Sequence, residues 1–279
     1  MQMKKPKKVL IIGANSYIAK SFAEFTKTKS GFEITAVSSR DNAWSDIDFA
    51  QYDSILHCAG IAHIKQKTDM KSLYYEINCD LAVQVAKKAA NDGVRQFVFL
   101  SSVAAIHHDN GDLYGASKLK AEQELENLVN EYDISDDIEM KLCIVRPPMV
   151  YGIGCKGNFP KLVKLARILP IFPNYPNRRS MIYIDNLCEF LYRLIEREAS
   201  GSFLPQNKEY VNTTELVKII NKRVITTRLF NPLIKQLAKK RGSIFEKLFG
   251  DLLCERVGDE SEYNIVEFEE SVRLCQPHE

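Results

Sequence analysis

The sequence lacks the features that mark membrane, secreted and zinc-binding proteins. No apolar run reaches the ~18 residues of a membrane span or the ~7–15 of a secretory leader, because the run that begins at Val9 turns polar at Asn15. The seven cysteines form no Cys-x-x-Cys pair and no cluster at zinc-ligand spacing. We therefore expect a cytoplasmic protein with reduced thiols, no metal site and no integral membrane association.

An excess of charge of one sign is also missing. The 38 Lys and Arg residues stand against 36 Asp and Glu residues, so the formal net charge is only +2. A protein that neutralises a nucleic-acid backbone needs a stronger basic balance, and we expect no nucleic-acid partner. The 279 residues, of which 45% are hydrophobic, suffice for about two globular domains.

The first half of the chain alternates short apolar runs with helical patterns, which is typical of parallel β-α-β units. We predict strands over residues 9–12, 33–37, 54–58, 97–101 and 141–145, and helices over 16–27, 73–91 and 115–132. Only 13 residues separate Arg40 from Ser54, so the usual strand-plus-helix crossover is shortened there. The pattern predicts an α/β fold with a Rossmann-type, doubly wound parallel sheet over residues 1–150.

The second half is richer in glycine and proline, which divide it into loops and short helices. We predict a helix over 213–223 and another that has Asn231 as its N-cap and Pro232 at its first position and ends near Gly242. A capping box at 243–246 predicts a third helix that ends at Gly250. Residues 151–279 are thus expected to form a smaller α/β region, partly interleaved with the first.

Charge is unevenly distributed within this second half. Residues 222–247 are basic, whereas residues 251–270 are rich in carboxylates. Charge runs are most often solvated or paired inside a domain. The alternatives are a basic face that rests on a membrane surface and a face that holds an anionic substrate, and the sequence leaves them open.

Gly13 opens a turn between the first predicted strand and the first helix. A dinucleotide-binding turn has glycines there, for the bend, for backbone approach to the pyrophosphate and for helix–strand packing. Only Gly13 is glycine here, and Ser16 and Ala19 occupy the other two positions with small side chains. The pyrophosphate would lie at the helix N-terminus, although the motif alone also fits an ordinary strand–turn–helix.

Tyr114 and Lys118 are spaced four residues apart, which places them on one face of a helix. A nearby ammonium is expected to lower the pKa of the phenol, which could then exchange a proton with a sugar hydroxyl or carbonyl. Ser102 directly follows the predicted strand over 97–101 and lies 12 residues before the tyrosine, where its hydroxyl could bond the same oxygen.

Taken in order, these motifs resemble the extended short-chain dehydrogenase/reductase superfamily, and specifically its NAD-dependent epimerase/dehydratase family. The resemblance covers nearly the whole chain. The segments that carry it are GANSYIA at 13–19, HCAG at 57–60, YYEIN at 74–78, FLSSV at 99–103, YGASK at 114–118, RPPMVYG at 146–152 and RSMIYIDNL at 179–187.

The resemblance implies an NAD(P)-binding domain over 1–150 and a nucleotide-sugar-binding region over 151–279. It implies that Tyr114 is the acid/base, that Lys118 holds the nicotinamide ribose, that Ser102 polarises the reacting oxygen and that Asn78 supports the lysine. The cofactor-binding residues that it implies are Gly13, Asn15, Ser16, Tyr17, Ile18, Ser38, Ser39, Arg40, Cys58, Ala59, Gly60, Lys118 and Pro147. The substrate-binding residues are Asn158, Arg178 and Arg179.

The implied reaction is C4 epimerisation of a UDP-hexose or UDP-N-acetylhexosamine through a 4-keto intermediate, in bacterial surface-polysaccharide synthesis. Reduction of a 4-keto sugar and a non-catalytic cofactor-binding scaffold or sensor are the alternatives. Dehydration is not expected, because Val103 and Ala104 stand where dehydratases of the family have an acid pair. The family also implies a homodimer formed through helices 73–91 and 115–132.

Two departures from the family pattern bear on the cofactor and on substrate closure. The second strand ends in Ser38, Ser39 and Arg40 without the usual carboxylate for the ribose, which favours NADP over NAD unless Asp41 or Asp46 takes that role. The connection from Ser102 to Tyr114 is short and removes a loop that faces the substrate in relatives. Its His107-His108-Asp109 segment is expected to be a polar loop.

Overall fold

A computed structural model describes residues 5–62, 70–107, 112–134, 140–240, 243–255 and 262–276. The chain divides into two compact units. The first comprises Met1–Pro147 and Leu187–Pro205, and the second comprises Pro148–Asn186 and Gln206–Glu279. The chain therefore enters the second unit after Pro147, returns to the first at Leu187 and leaves it again after Pro205.

The first unit is built on a six-stranded, fully parallel sheet. Its strands are β1 (Lys7–Ile12), β2 (Phe32–Val37), β3 (Ser54–His57), β4 (Gln96–Leu100), β5 (Lys141–Val145) and β9 (Gly201–Phe203), in the order β2-β1-β3-β4-β5-β9. The order reverses at β1, which has β2 on one side and β3 on the other. Ligands of such sheets bind at the carboxyl ends of the strands beside this reversal. The predicted doubly wound α/β fold is confirmed.

Helices alternate with most of the strands along the chain of the first unit. They are α1 (Tyr17–Thr26), α2 (Lys71–Tyr75), α3 (Leu81–Asn91), α4 (Leu113–Ile134) and most of α6 (Ile184–Glu196). A π-helical turn, Glu76–Asp80, joins α2 to α3, so the helix predicted over 73–91 is interrupted. Between β2 and β3 the chain makes only two short 3-10 turns, Arg40–Asn42 and Phe49–Gln51, as its shortness predicts.

The core of the first unit packs small helix residues against large strand residues. Five alanine and valine residues of α3 are buried, namely Ala82, Val85, Ala86, Ala89 and Ala90, and their small side chains let the helix lie close to the sheet. The single tryptophan, Trp44, is 5% exposed and packs 6.5 Å from the Phe49 ring. It therefore reports on the folding of this unit.

The second unit has two short parallel strand pairs and five helices in its described residues. β6 (Met149–Tyr151) pairs with β8 (Met181–Tyr183), and β7 (Ile171–Pro173) pairs with β10 (Ile225–Thr227). The helices are α5 (Asn158–Ile168), α7 (Thr213–Ile220), α8 (Asn231–Leu237), α9 (Ile244–Phe249) and α10 (Phe268–Leu274).

Two of the predicted helix boundaries in this unit are confirmed or corrected by side-chain contacts. Ser243 caps α9 by accepting a hydrogen bond from Glu246 N at 3.1 Å, and Gly250 ends the helix, as the capping box predicts. The N-cap prediction for Asn231 is wrong: Phe230 is the N-cap. The Asn231 side-chain oxygen accepts no hydrogen bond from the described residues, while its amide donates to Asn174 O at 2.9 Å. α8 also ends at Leu237, before the predicted end near Gly242.

α7 stops at Ile220, earlier than the predicted end at 223. The side-chain amide of Asn221 donates to Ala166 O at 3.0 Å and Leu169 O at 3.2 Å, which ties this point to the end of α5 and turns the chain away. In the described ranges, no helix has an apolar stretch long enough to cross a bilayer.

Candidate active site

The turn from β1 into α1 packs directly on the carboxyl end of β3. Gly13 has φ +102, a conformation that favours glycine. A Cβ on Gly13 would lie 2.6 Å from Ala59 N, so a larger residue would also collide with the chain that follows β3. The structure thus brings Gly13, Cys58 and Ala59 together at the crevice beside the strand-order reversal.

The N-terminus of α1 is arranged to meet an anion. Ser16 is the N-cap, and its hydroxyl accepts a hydrogen bond from Ala19 N at 3.1 Å. Ile18 is the second residue of the helix, and the backbone N–H groups at this end of a helix have no acceptor within the helix. The helix dipole adds partial positive charge at the same end. Asn15, exposed, and Tyr17, half-buried, lie in the same turn.

Ser38, Ser39 and Arg40 leave the end of β2 on the other side of this turn. Val37 O accepts hydrogen bonds from Gly13 N and Ala14 N, both at 2.9 Å, which holds the end of β2 against the glycine turn. Arg40 is exposed, and its backbone N–H donates to the Ser38 hydroxyl at 3.1 Å. Asp46 is exposed, and the Asp41 side chain is outside those described.

Ser102 and Tyr114 meet at the end of β4. Ser102 caps the 3-10 turn Val103–Ala105, and its hydroxyl accepts from Ala104 N at 3.2 Å. The same hydroxyl lies close enough to the Tyr114 side chain to lower the pKa of the phenol. Accepting from Ala104 N leaves the hydroxyl proton of Ser102 available for donation to the phenol oxygen. Pro147, predicted as a cofactor contact, lies against this turn, where its carbonyl accepts from Val103 N at 3.2 Å.

Burial controls the protonation of Tyr114. Desolvation raises the pKa of Tyr114, and nearby Asp112 and Tyr74 raise it further, while the hydrogen bond with Ser102 lowers it. The pKa of Tyr114 is thus raised and not lowered towards neutral pH as predicted, because burial has the largest effect and Lys118 is not among the groups that shift it. In this state the phenol therefore keeps its proton at neutral pH.

Lys118 is 3% exposed and points to the end of β4. Its ammonium donates to Leu100 O at 2.9 Å and lies 4.6 Å from the centre of the Phe99 ring. Burial lowers its pKa from 10.5 to about 8. Burial, together with the charge of Lys118, lowers the pKa of the fully buried His57 to about 3, so that imidazole is neutral.

Asn78 holds the loop after β3 against α4. Its side-chain oxygen accepts from Ile61 N at 2.8 Å, and its amide donates to Ile61 O at 3.1 Å and to Ser117 Oγ at 2.9 Å. These bonds place Gly60, on which a Cβ would lie 3.3 Å from Lys118 Nζ, beside the lysine. Asn78 thus acts on Lys118 through its neighbours, from a π-helical turn of the kind often found at functional sites.

A nicotinamide dinucleotide fits these features. The positive-φ glycine turn and the helix N-terminus suit a pyrophosphate, and the exposed Gly60 edge leads to the buried ammonium of Lys118. A profile of the NAD dependent epimerase/dehydratase family matches residues 9–205, well over half of the chain. The chain belongs to this family. The membership implied by the sequence motifs is confirmed.

Relatives of this family member include two 4-epimerases. The UDP-glucose 4-epimerase of Vibrio cholerae is 29% identical over 252 residues, which cover 77% of this chain and 75% of the relative. The N-acetyl-alpha-D-glucosaminyl-diphospho-ditrans,octacis-undecaprenol 4-epimerase of Escherichia coli O157:H7 is 28% identical over 258 residues, 81% of this chain and 76% of the relative.

A solved structure supports the fold over the whole length of the chain. The Bordetella bronchiseptica enzyme WbmG, solved in complex with NAD and UDP, superposes with a TM-score of 0.68 and covers 98% of this chain and 94% of its own. The sequence identity is 13%, so this similarity shows the fold alone.

The residues predicted to bind substrate lie in the second unit of this family member, and two of the three come together. Asn158 and Arg179 line a small cavity of about 20 Å³ with Lys247 and Leu248, roughly the space of one water molecule. Arg179 Nη1 donates to Gly250 O at 2.6 Å, while its buried Nε has no hydrogen-bond partner among the described residues. Arg178 is exposed and does not line the cavity.

The sequence motifs did not indicate an ionic network behind the predicted catalytic residues. Glu122, one turn after Lys118 and 1% exposed, accepts hydrogen bonds from Arg146 Nε at 3.0 Å and Arg146 Nη2 at 2.8 Å. Ser101 also donates to this carboxylate. The network joins the ends of β4 and β5 to α4. The sequence did contain a signal for this network, because Glu122 is spaced four residues from Lys118 and Arg146 follows a predicted strand.

Asp112 is a second residue that the motifs did not indicate. Its carboxylate accepts from Tyr114 N at 3.1 Å, which fixes the start of α4 and brings a negative charge close to the phenol. His107 is exposed, and the predicted loop residues His108 and Asp109 lie outside the described residues.

Proposed function

We propose that this protein epimerises a nucleotide-diphosphate sugar at C4, through a 4-keto intermediate, with NAD(P) held at the crevice of the first unit. The observation that carries the proposal is the placement of the Ser102 hydroxyl beside Tyr114 at the end of β4, where it lowers the pKa of the phenol. It joins a proton donor to a proton exchanger at the edge of the crevice where Gly13 meets Ala59. The 4-epimerase names of both curated relatives support the reaction class.

In the proposed mechanism, Tyr114 removes the proton of the C4 hydroxyl as the ketone forms and returns it to that oxygen when the opposite epimer is made. Bound NAD(P) would accept the C4 hydride and give it back to the other face of the sugar. Ser102 donates a hydrogen bond to the reacting oxygen. Because burial raises the pKa of Tyr114, the phenol needs a cation nearby to act as a base, and Lys118 is the buried cation at this crevice.

We propose Asn158 and Arg179 as ligands of the substrate diphosphate. The guanidinium has a buried Nε without a partner among the described residues, and a guanidinium fork suits phosphate oxygens. Both curated relatives are named for sugars with a diphosphate link or a nucleoside diphosphate. The small cavity implies that side chains at its rim, such as the exposed Lys247, move when the substrate binds.

For the cofactor, we propose NADP in preference to NAD. The end of β2 presents two hydroxyls and the exposed Arg40 and no carboxylate in the 38–40 segment, a composition that accommodates a 2′-phosphate. Fluorescence titration with NADPH and NADH measures the preference, and Arg40→Asp is expected to reverse it.

We also propose that the protein forms a homodimer through α3 and α4. Light scattering, which measures the mass in solution, tests this proposal.

The reaction is tested by incubating the protein, checked by native mass spectrometry for bound dinucleotide, with UDP-glucose, UDP-galactose and their N-acetylhexosamine counterparts. We expect interconversion at C4, and we expect Tyr114→Phe to lower turnover by about 10²–10⁴-fold while the dinucleotide stays bound. Tyr132→Phe is the matched control, since the Tyr132 hydroxyl bonds Asn91 at the exposed far end of the same helix.

Two outcomes would contradict the epimerase. Consumption of NAD(P)H with a 4-keto sugar, without interconversion of epimers, would indicate a reductase. Bound dinucleotide with no turnover of any sugar would indicate a non-catalytic scaffold. Equal turnover of Tyr114→Phe and Tyr132→Phe would remove Tyr114 from the mechanism.

A further inference from the structure

Large apolar side chains are exposed together on one surface of the second unit. In the described residues ten large hydrophobic side chains are exposed, and six of them belong to this surface. They are Ile168 (76% exposed), Ile171 (49%), Ile225 (65%), Leu229 (78%), Phe230 (43%) and Leu233 (55%). We call these six residues, with the cations around them, the basic apolar face.

The six residues come from two chain segments that are bonded side by side. Ile171 and Ile225 are register partners of the parallel pair β7–β10, and Ile225 N donates to Pro170 O at 2.9 Å. Side chains of register partners lie on the same side of a sheet. Hydrogen bonds from Asn221 to Leu169 O and from Asn231 to Asn174 O join the two segments on either side of the strand pair. Ile171 and Ile225 therefore lie side by side, and the other four exposed residues belong to the two segments, 168–171 and 225–233, that these bonds hold together.

The opposite side of β7 already supplies the core. Phe172, the residue between Ile171 and Pro173, is 2% exposed and packs 5.6 Å from the Phe249 ring. Strand side chains alternate between the two sides of a sheet, so a solvated outer side would carry polar residues. Ile171 and Ile225, the first register pair on this outer side, are instead large and apolar, which indicates that this end of the side is covered by something other than the described parts of the chain.

The surroundings of this patch are strongly basic. Residues 156–184 and 216–245 contain no aspartate or glutamate, although the whole chain is nearly neutral. Five exposed cations flank the patch without an ion pair to any described residue, namely Arg167, Lys222, Arg223, Arg228 and Lys235. The occupant of the face must therefore be both apolar and anionic.

We propose that the basic apolar face docks on an anionic lipid bilayer. Aliphatic side chains exposed by half or more can enter the boundary between headgroups and acyl chains, and the surrounding cations can reach lipid phosphates. A second copy of the chain fits less well, because a two-fold interface would bring the same cations face to face. With no membrane-spanning helix in the described ranges, the contact is peripheral. This inference does not depend on the proposed reaction.

Vesicle co-sedimentation of the full chain tests the proposal. We expect the protein to bind phosphatidylcholine vesicles that contain phosphatidylglycerol, to bind pure phosphatidylcholine much more weakly, and to be released as salt shortens the screening length. Arg228→Gln with Lys235→Gln is expected to lower the partition coefficient about fivefold for each cation, roughly 30-fold together. Leu229→Gln with Leu233→Gln removes the apolar part and is expected to lower it as well.

Matched controls distinguish vesicle binding by this face from a general effect of protein charge or exposed apolar side chains. Lys87→Gln removes an exposed cation on α3, and Ile265→Gln removes an apolar side chain that is 50% exposed elsewhere in the second unit. Both are expected to bind vesicles like the parent, and circular dichroism verifies the fold of every variant. Absence of binding to the anionic vesicles, equal binding to both vesicle types, or equal losses in face and control variants would overturn the proposal. A change of mass by light scattering in the face variants alone, without vesicle binding, would identify the face as an interface between copies.

Discussion

Replacing Lys118 by methionine is expected to stabilise the protein while it removes activity. Burial lowers the lysine pKa from 10.5 to about 8, and each pKa unit corresponds to about 1.36 kcal/mol, so holding the charge at neutral pH costs about 3 kcal/mol of unfolding free energy. Methionine fills a similar volume without charge. It gives up the hydrogen bond to Leu100 O, worth about 1 kcal/mol, which leaves a gain of about 2 kcal/mol.

The pH dependence of this gain has a definite sign. Below about pH 8 the lysine is charged in both the folded and the unfolded chain, so the full cost is present. Between about pH 8 and 10.5 the folded chain loses the proton first, and the parent protein becomes more stable as pH rises. The advantage of Lys118→Met is therefore complete below about pH 8 and is lost as pH approaches 10.5.

Urea unfolding followed by fluorescence of the single Trp44 measures this difference, because Trp44 is buried in the unit that contains Lys118. Lys120→Met is the control: this lysine is exposed and pairs with Glu124 on the helix surface, so we expect little change at any pH. A Lys118→Met variant less stable than the parent at neutral pH, or a gain that does not shrink above about pH 8, would refute the reasoning.

Three further predictions concern the walls of the crevice. Gly13→Ala should lower dinucleotide affinity at least tenfold in a fluorescence titration, because its Cβ would lie 2.6 Å from Ala59 N at φ +102; unchanged affinity would mean that the turn adapts. Gly60→Ala should raise KM for the cofactor and also lower thermal stability, since its Cβ would lie 3.0 Å from Asn78 Oδ1 and 3.3 Å from Lys118 Nζ; a normal KM would contradict this. Arg146→Ala should destabilise by about 3–5 kcal/mol in urea and more than Glu122→Ala, because Glu122 is 1% exposed and the Arg146 side chain 18%; additive effects in the double variant would show that the pair is not coupled.

Sequence periodicity was sufficient for the parallel sheet because each buried strand is a short apolar run. The predicted strand over 141–145 is β5 as observed, and the other four differ from the observed strands by one or two residues at one or both ends. Periodicity was insufficient where a single side chain ends a helix. Asn221 ends α7 through contacts with the end of α5, and no local pattern contains that partner.

In the candidate site, too, some features were predictable from the sequence and others depended on tertiary contacts. The positions of Ser102, Tyr114 and Lys118 relative to their strand and helix follow from spacing, and their meeting at the end of β4 follows from the parallel sheet. The direction of the Tyr114 pKa does not, because it depends on how deeply the phenol is buried and on where the Lys118 ammonium points. Likewise Arg178 and Arg179 are adjacent in sequence, and only the cavity distinguishes them.

The amino-acid sequence by itself determined the α/β class, the order of the strands along the chain and the residue types at the crevice, since these depend on local spacing and side-chain chemistry. The tertiary structure alone decided which charges act on which groups: Glu122 with Arg146, Lys118 with Leu100 O, and the uncovered isoleucines of β7 and β10 among unpaired cations. Electrostatic energy depends on distance and burial, and residues far apart in the chain acquire both only on folding.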